Sequence, residues 1–220
     1  MRNAILITGF NGEIGRQTLH SLCKRKIHII ALDINKSDIK YDNVMFIKDS
    51  ILNQDVIKSI FNDFNIIEIY HFAALLSQSA NDNPELANKV NEEGSKAIIN
   101  TAMHYAQTNK SFIKIFFPSS IAVYGPRKLK NAKELDIMKP QTIYGCNKLA
   151  IEQYGTNKHE ESLKLGFGID FRCLRLPGII SPYTIPYGGT TDFAPQMLHA
   201  ACNNESFICK VDPMTILPFL

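Results

Sequence analysis

Ala4-Ile5-Leu6-Ile7-Thr8-Gly9-Phe10-Asn11-Gly12-Glu13-Ile14-Gly15 is the stretch on which the fold turns. Its first five residues form a near-continuous apolar run, the pattern of a strand buried on both faces of a parallel sheet. Ile14, Leu19 and Leu22 then space an apolar stripe along 13–25, which predicts a helix, and Ile27 to Leu32 supply a second buried strand. Three glycines at intervals of three fall in the turn between the first strand and the helix. Such a turn uses glycine's freedom at φ, and the helix beyond it offers amide N–H groups and the positive end of its dipole.

Outward from this unit the alternation continues. The patterning predicts strand 44–47, helix 54–64, strand 66–73, helix 84–107, strand 112–117, helix 142–163 and strand 169–175. Asn83 and Pro84 give the helix at 84 a cap and a first turn. Strands alternating with helices imply right-handed crossovers, so the expected class is α/β, a Rossmann-type doubly wound parallel sheet occupying 1–176. After Arg175 the chain becomes rich in proline and glycine (Pro177, Gly178, Pro182, Pro186, Gly188, Gly189), as segments that build a substrate pocket at a sheet's carboxyl edge do. Residues 177–220 are therefore expected to be the start of a partial C-terminal substrate-binding lobe, truncated after the apolar stretch Thr215 to Leu220.

The 220 residues are 45% apolar and 20% charged with 12 Gly and 10 Pro, which excludes collagen-like, disordered and disulfide-scaffold classes and fits one globular domain or one plus a fragment. The net charge of +3 comes from 24 basic and 21 acidic residues interspersed along the chain, which argues against a nucleic-acid partner. The runs Lys24-Arg25-Lys26 and Arg127-Lys128-Leu129-Lys130 read as solvated surface. No apolar stretch approaches the roughly eighteen residues that span a bilayer, so no membrane partner is expected. Five cysteines without a C-x-x-C pair signal neither a disulfide framework nor a metal site. Because a strand begins by Ala4, no leader peptide is expected, and the anticipated location is cytoplasmic.

The glycine turn in its strand-to-helix frame predicts a dinucleotide cradle made by Gly9, Asn11, Gly12, Glu13, Ile14 and Gly15. Asp33, 24 residues after Gly9, ends the second strand where a carboxylate accepts both ribose hydroxyls and repels a 2′-phosphate. This favours NAD over NADP, with Lys36 nearby as the residue arguing the other way. Asp49, with Ser50 beside it, either meets the adenine edge or serves as a turn carboxylate. Tyr144 and Lys148 stand four apart at the start of a helix and so share one face. An ammonium close to a phenol lowers its pKa from about 10 toward working pH, which makes Tyr144 a candidate base for an alcohol proton. Ser120, ending the strand that leads to this helix, can bond the reacting oxygen; it lacks the G-x-S-x-G frame of an acyl-transfer nucleophile.

Gly9-x-x-Gly12-x-x-Gly15, His71-Phe72-Ala73-Ala74, Asn91 followed by Gly94, Pro118-Ser119-Ser120-Ile121-Ala122-Val123-Tyr124-Gly125 and Tyr144-x-x-x-Lys148 together resemble the extended short-chain dehydrogenase/reductase superfamily, which includes the NAD-dependent epimerases and dehydratases. The resemblance implies that Ser120, Tyr144 and Lys148 are catalytic and that Lys148 also holds the nicotinamide ribose. It further implies that Ala73, Ala74, Asn91, Pro177 and Ile179 line the NAD.

Ala74-Leu75-Leu76-Ser77, Pro177-Gly178-Ile179-Ile180-Ser181 and Gly188-Gly189-Thr190-Thr191-Asp192-Phe193-Ala194 are similar to the epimerase-like L-threonine 3-dehydrogenases. That likeness implies NAD-dependent oxidation of L-threonine to 2-amino-3-oxobutanoate, with Ser77, Ser120, Tyr144, Gly178, Thr190 and Thr191 around the substrate. It also implies a homodimer formed through the helices at 84–107 and 142–163. Two alternatives share the same residues: a sugar-nucleotide 4-epimerase or dehydratase with bound NAD, and a non-catalytic NAD-binding fragment. The chain departs from the relatives' pattern at Asn147, where they usually carry serine, and in ending soon after Leu217-Pro218.

Overall fold

A computed structural model of the chain describes residues 1–126, 132–180, 188–189 and 191–220. Its centre is strand β1 (Arg2–Thr8), whose residues from Ala4 to Thr8 are all buried. Five further strands join it in one all-parallel sheet: β2 (His28–Asp33), β3 (Val44–Lys48), β4 (Phe64–His71), β5 (Phe112–Ser120) and β6 (Gly168–Leu176), in the order β3-β2-β1-β4-β5-β6. Strand order reverses between β1 and β4, and the chains leaving their carboxyl ends diverge to open a crevice there.

The two faces of the sheet alternate as a buried strand requires. Ala4, Leu6, Ile30, Leu32, Ile113, Ile115 and Phe117 point to the layer of helices α2 (Gln54–Asp63), α5 (Ser95–Thr108) and α6 (Ile143–Leu165). Ile5, Ile7, Ile29 and Ala31 point the other way, onto Leu19 and Leu22 of α1 (Glu13–Leu22). Each fully buried Ile or Leu contributes about 1.5–3 kcal/mol to this core.

The predicted strands and helices all appear, with ends shifted by a few residues. Several local features depart from the expectation. The helix expected at 84–107 is irregular: α4 (Pro84–Ala87) runs through a π-helical stretch, Asn88–Gly94, into α5. Side-chain amides exploit that widened turn. Asn91 clamps the Leu75 backbone, accepting from its N–H at 2.7 Å and donating to its carbonyl at 3.0 Å, while Asn88 accepts from the Asn147 amide at 2.9 Å. Helices α3 (Ser77–Asp82) and α7 (Phe193–Cys202), and a 3₁₀ turn at Ile121–Tyr124, carry no strong periodic signal. Past β6 the backbone of 178–180 pairs in parallel with 218–220, through Gly178 N–H to the Pro218 carbonyl at 3.1 Å and Leu220 N–H to the Gly178 carbonyl at 2.8 Å. Of the basic runs, Arg25 is engaged by Glu68 at 2.7 Å, and 127–130 lie outside the described residues.

A buried polar link ties β1, β4 and α5 below the crevice. Thr8 Oγ1 lies 2.6 Å from His71 Nδ1, and His71 Nε2 lies 2.9 Å from Ser95 Oγ. Burial, and then the nearby Lys148 charge, push the His71 imidazole down to about 3. An unfolded histidine takes up a proton near 6.5, so the stability that depends on neutral His71 is complete above that pH and lost as the pH falls toward 3. Between pH 6 and 4.5 denaturant titrations should show the chain losing about 1.4 kcal/mol per pH unit more than its His71→Gln variant. Equal slopes would mean that His71 is protonated in the fold.

Candidate active site

Strand β5 and helix α6 meet at the carboxyl edge of the sheet. Thr142 caps α6 by accepting the Gly145 N–H at 3.0 Å, which sets Tyr144 in the first turn and Lys148 one turn later on the same face. Ser120 ends β5; its Oγ accepts the Ala122 N–H at 3.2 Å and lies near enough to the Tyr144 hydroxyl to favour its ionised form. The Lys148 ammonium donates to the Pro118 carbonyl at 2.6 Å, lies 4.4 Å over the Phe117 ring and stands 5.4 Å from the Tyr144 ring centre. The structure thus brings Ser120, Tyr144 and Lys148 together.

The electrostatics differ from the expectation. Burial pushes the Tyr144 phenol up to about 12, against the opposing pull of its Ser120 hydrogen bond. Burial likewise pushes Lys148 down to about 7, opposed by the Glu152 carboxylate. The resting phenol is therefore held above its usual value, where the sequence led us to expect it lowered. Desolvation is the largest cause, and the Lys148 ammonium faces the Pro118 carbonyl.

Sequence reasoning missed Glu152. It follows Lys148 by four and Tyr144 by eight, so the helical period alone could have flagged it. Its carboxylate accepts from Ser119 Oγ and takes a bidentate pair from Arg175, whose Nε and second terminal nitrogen lie 3.0 and 2.8 Å away.

The glycine turn lies at the same edge. Gly9 has φ +69°, and a Cβ there would sit 2.6 Å from the Ala73 Cα, so loop and β4 end are in direct backbone contact. Helix α1 starts at Glu13 with Gly12 in the capping position and no capping side chain. A Cβ on Gly12 would meet only the Gly9 carbonyl oxygen, at 3.5 Å, so no protein atom requires glycine there and the space in front of the helix start is open. Ile14 and Gly15 follow in the first turn of α1.

Asp33 stands at the end of β2 and turns to this loop, its carboxylate accepting the Asn11 N–H at 3.0 Å and the Asn35 N–H at 2.9 Å. The Asn11 amide bridges to the Asn35 and Lys36 carbonyls at 3.2 and 3.1 Å. A bare helix start with a strand-end carboxylate beside it fits a dinucleotide: the amides suit the pyrophosphate, and Asp33 retains lone pairs for the ribose hydroxyls.

Three residues expected at the cofactor also hold local structure. Asp49 accepts the Ser50 N–H at 2.7 Å and the Asn53 amide at 3.1 Å. Ser50 Oγ accepts the Leu52 N–H at 3.1 Å, closing its own turn. Asn91 is engaged with Leu75, so it shapes the loop of Ala73 and Ala74. On the substrate side, Ser77 begins α3, and the neighbouring Gln78 N–H donates to the Gly188 carbonyl at 2.7 Å, joining that loop to the 188–192 segment. Thr191 packs against Gly178, between Pro177 and Ile179. Thr190 lies outside the described residues.

Comparison with known proteins agrees with this arrangement. The L-threonine 3-dehydrogenase, mitochondrial, of Bos taurus is 36% identical over 98% of this chain, and the chain spans 56% of that relative's length. The solved GalE-like L-threonine dehydrogenase from Cupriavidus necator, in its holo form, superposes with a TM-score of 0.86 at 29% identity, covering 99% of this chain and 68% of that one. The UDP-N-acetylglucosamine 4-epimerase of Methanobrevibacter ruminantium superposes at 0.81 with 25% identity, covering all 100% of this chain and 69% of that one. The model of the NAD dependent epimerase/dehydratase family matches residues 5–216, and the chain belongs to that family.

Proposed function

We propose that the chain binds NAD and carries the catalytic face of an L-threonine 3-dehydrogenase. One observation carries the reading: Ser120, Tyr144 and Lys148 converge, the serine close enough to pull on the phenol's proton and the Lys148 ammonium 5.4 Å from the phenol ring, at the edge that holds the glycine turn. Gly9, Gly12, Gly15 and Asp33 would hold the cofactor, which supplies the acceptor for the hydride leaving C3 of the substrate. Ser120 orients the alcohol and stabilises negative charge on its oxygen, and Tyr144 takes the hydroxyl proton. Lys148, when charged, draws the phenol down from its high resting value.

Short hydroxyl side chains at Ser77 and Thr191 suit the charged ends of a small amino acid better than a nucleotide sugar. The threonine dehydrogenases among the relatives support the same choice. Homodimerisation through the helical faces at 84–108 and 143–165 belongs to this proposal.

The test is purified chain with NAD and L-threonine, followed by NADH absorbance. Accumulation of NADH is the expected result. Interconversion of UDP-sugars without net NADH would place the chain with the epimerases. NAD binding with neither reaction would make it a cofactor-binding fragment.

A further inference from the structure

Three consecutive residues of β5 are stitched to three residues of α6 spaced four apart. Ser120 acts on the neighbouring Tyr144 hydroxyl, the Pro118 carbonyl accepts from Lys148 at 2.6 Å, and Ser119 bonds Glu152. Lys148 and Glu152 are both buried, 4% and 5% exposed. We propose that Glu152 is a positioning residue whose carboxylate, fixed by Ser119 and Arg175, keeps the Lys148 ammonium protonated and aligned beneath Tyr144. This role rests on reading Lys148 as the group that acidifies the phenol.

The charges around Lys148 make Glu152 decisive. On α6 it is flanked by Tyr144 and Glu152; β4 presents His71, neutral at working pH; β5 presents the Phe117 ring and the Ser119 hydroxyl. From β6, Arg175 and Cys173 lie around Glu152, the latter an un-ionised thiol that burial pushes up to about 11. Glu134 acts at the far side, on Cys173, and gives its carbonyl to Arg175 at 2.7 Å. Glu152 is thus the carboxylate that bears on Lys148 among the described residues. An ammonium buried without such a partner gives up its proton.

Arg175 has two opposed effects. Its pair with Glu152 at 2.8 Å, completed by the Tyr124 hydroxyl at 2.8 Å, fixes the carboxylate, and a guanidinium paired with that carboxylate is expected to offset part of the field it exerts on Lys148. Removing the carboxylate and removing the guanidinium should therefore move Lys148 in opposite directions, whereas loosened packing would move it the same way in both.

The experiment is a pH titration of the Lys148 ¹³Cε resonance in lysine-labelled full chain without cofactor, assigned with Lys148→Arg. Glu152→Gln should lower the midpoint by about one pH unit and Arg175→Gln should raise it by a comparable amount. Glu152→Asp, which retains the charge, should restore most of the wild-type value. An unmoved midpoint in Glu152→Gln, or shifts of the same sign in both variants, would overturn the proposal. If one variant does not fold, as judged by its amide spectrum, the direction in the other decides. Because no substrate enters the measurement, this result stands apart from whether L-threonine is oxidised.

Discussion

Tyr144→Phe should reduce kcat with NAD and L-threonine by about a thousandfold while leaving NAD affinity within about twofold. The substitution removes one oxygen and preserves the ring, so the ring's packing beside the Lys148 ammonium survives. Lys148 keeps its bond to the Pro118 carbonyl, and Ser120 keeps the Ala122 N–H. Nothing in the glycine turn or at Asp33 touches the lost hydroxyl. What disappears is the acceptor for the substrate proton, a contribution of about 3–5 kcal/mol at the transition state for a general base. Turnover, read from initial rates, and affinity, read from NADH fluorescence titration, should therefore separate. A parallel loss of both would assign Tyr144 to cofactor binding and withdraw its role as base.

This separation was legible in the sequence because it depends on local spacing. The apolar run Ala4 to Thr8, the glycines after it and the interval from Tyr144 to Lys148 each report one element and its period, and the fold preserves them. The six-strand order follows from the same alternation and from crossover handedness.

Features that depend on distant partners were not legible. Arg175 lies 23 residues beyond Glu152, and only the placement of β6 beside β5 makes them a pair. The π-helical stretch at Asn88–Gly94 reads as ordinary helix because its widening accompanies amide contacts to Leu75 and Asn147 from other elements. Asp49 and Ser50, by contrast, make the short-range turn contacts that their place after β3 allows. The acidity of Tyr144 was misjudged because spacing gives the proximity of a charge without the desolvation that opposes it.

The glycine turn allows stability and ligand binding to be separated residue by residue. Gly9→Ala forces a Cβ to within 2.6 Å of the Ala73 Cα and 2.7 Å of the Phe72 carbonyl carbon, at a φ of +69° that alanine seldom adopts. Both obstacles are backbone held by the β1–β4 pairing, including the Phe72 N–H to the Thr8 carbonyl at 2.8 Å, so the strain has no soft side chain to absorb it. A loss of about 3 kcal/mol or more is expected, lowering the melting temperature by roughly 10 °C.

Gly12→Ala is different. Its φ of −71° and ψ of 170° suit any residue, and its nearest obstacle lies 3.5 Å off, so the melting temperature should stay within about 1 °C of wild type. The new methyl projects instead into the space before the first amides of α1, where a pyrophosphate would lie, and NAD affinity should fall by about tenfold or more. Calorimetry and NAD titration on the two variants decide the matter. Should Gly12→Ala bind NAD as the parent does, the open space at the helix start is not the phosphate cradle, and the cofactor assignment built on it fails while the fold argument at Gly9 remains.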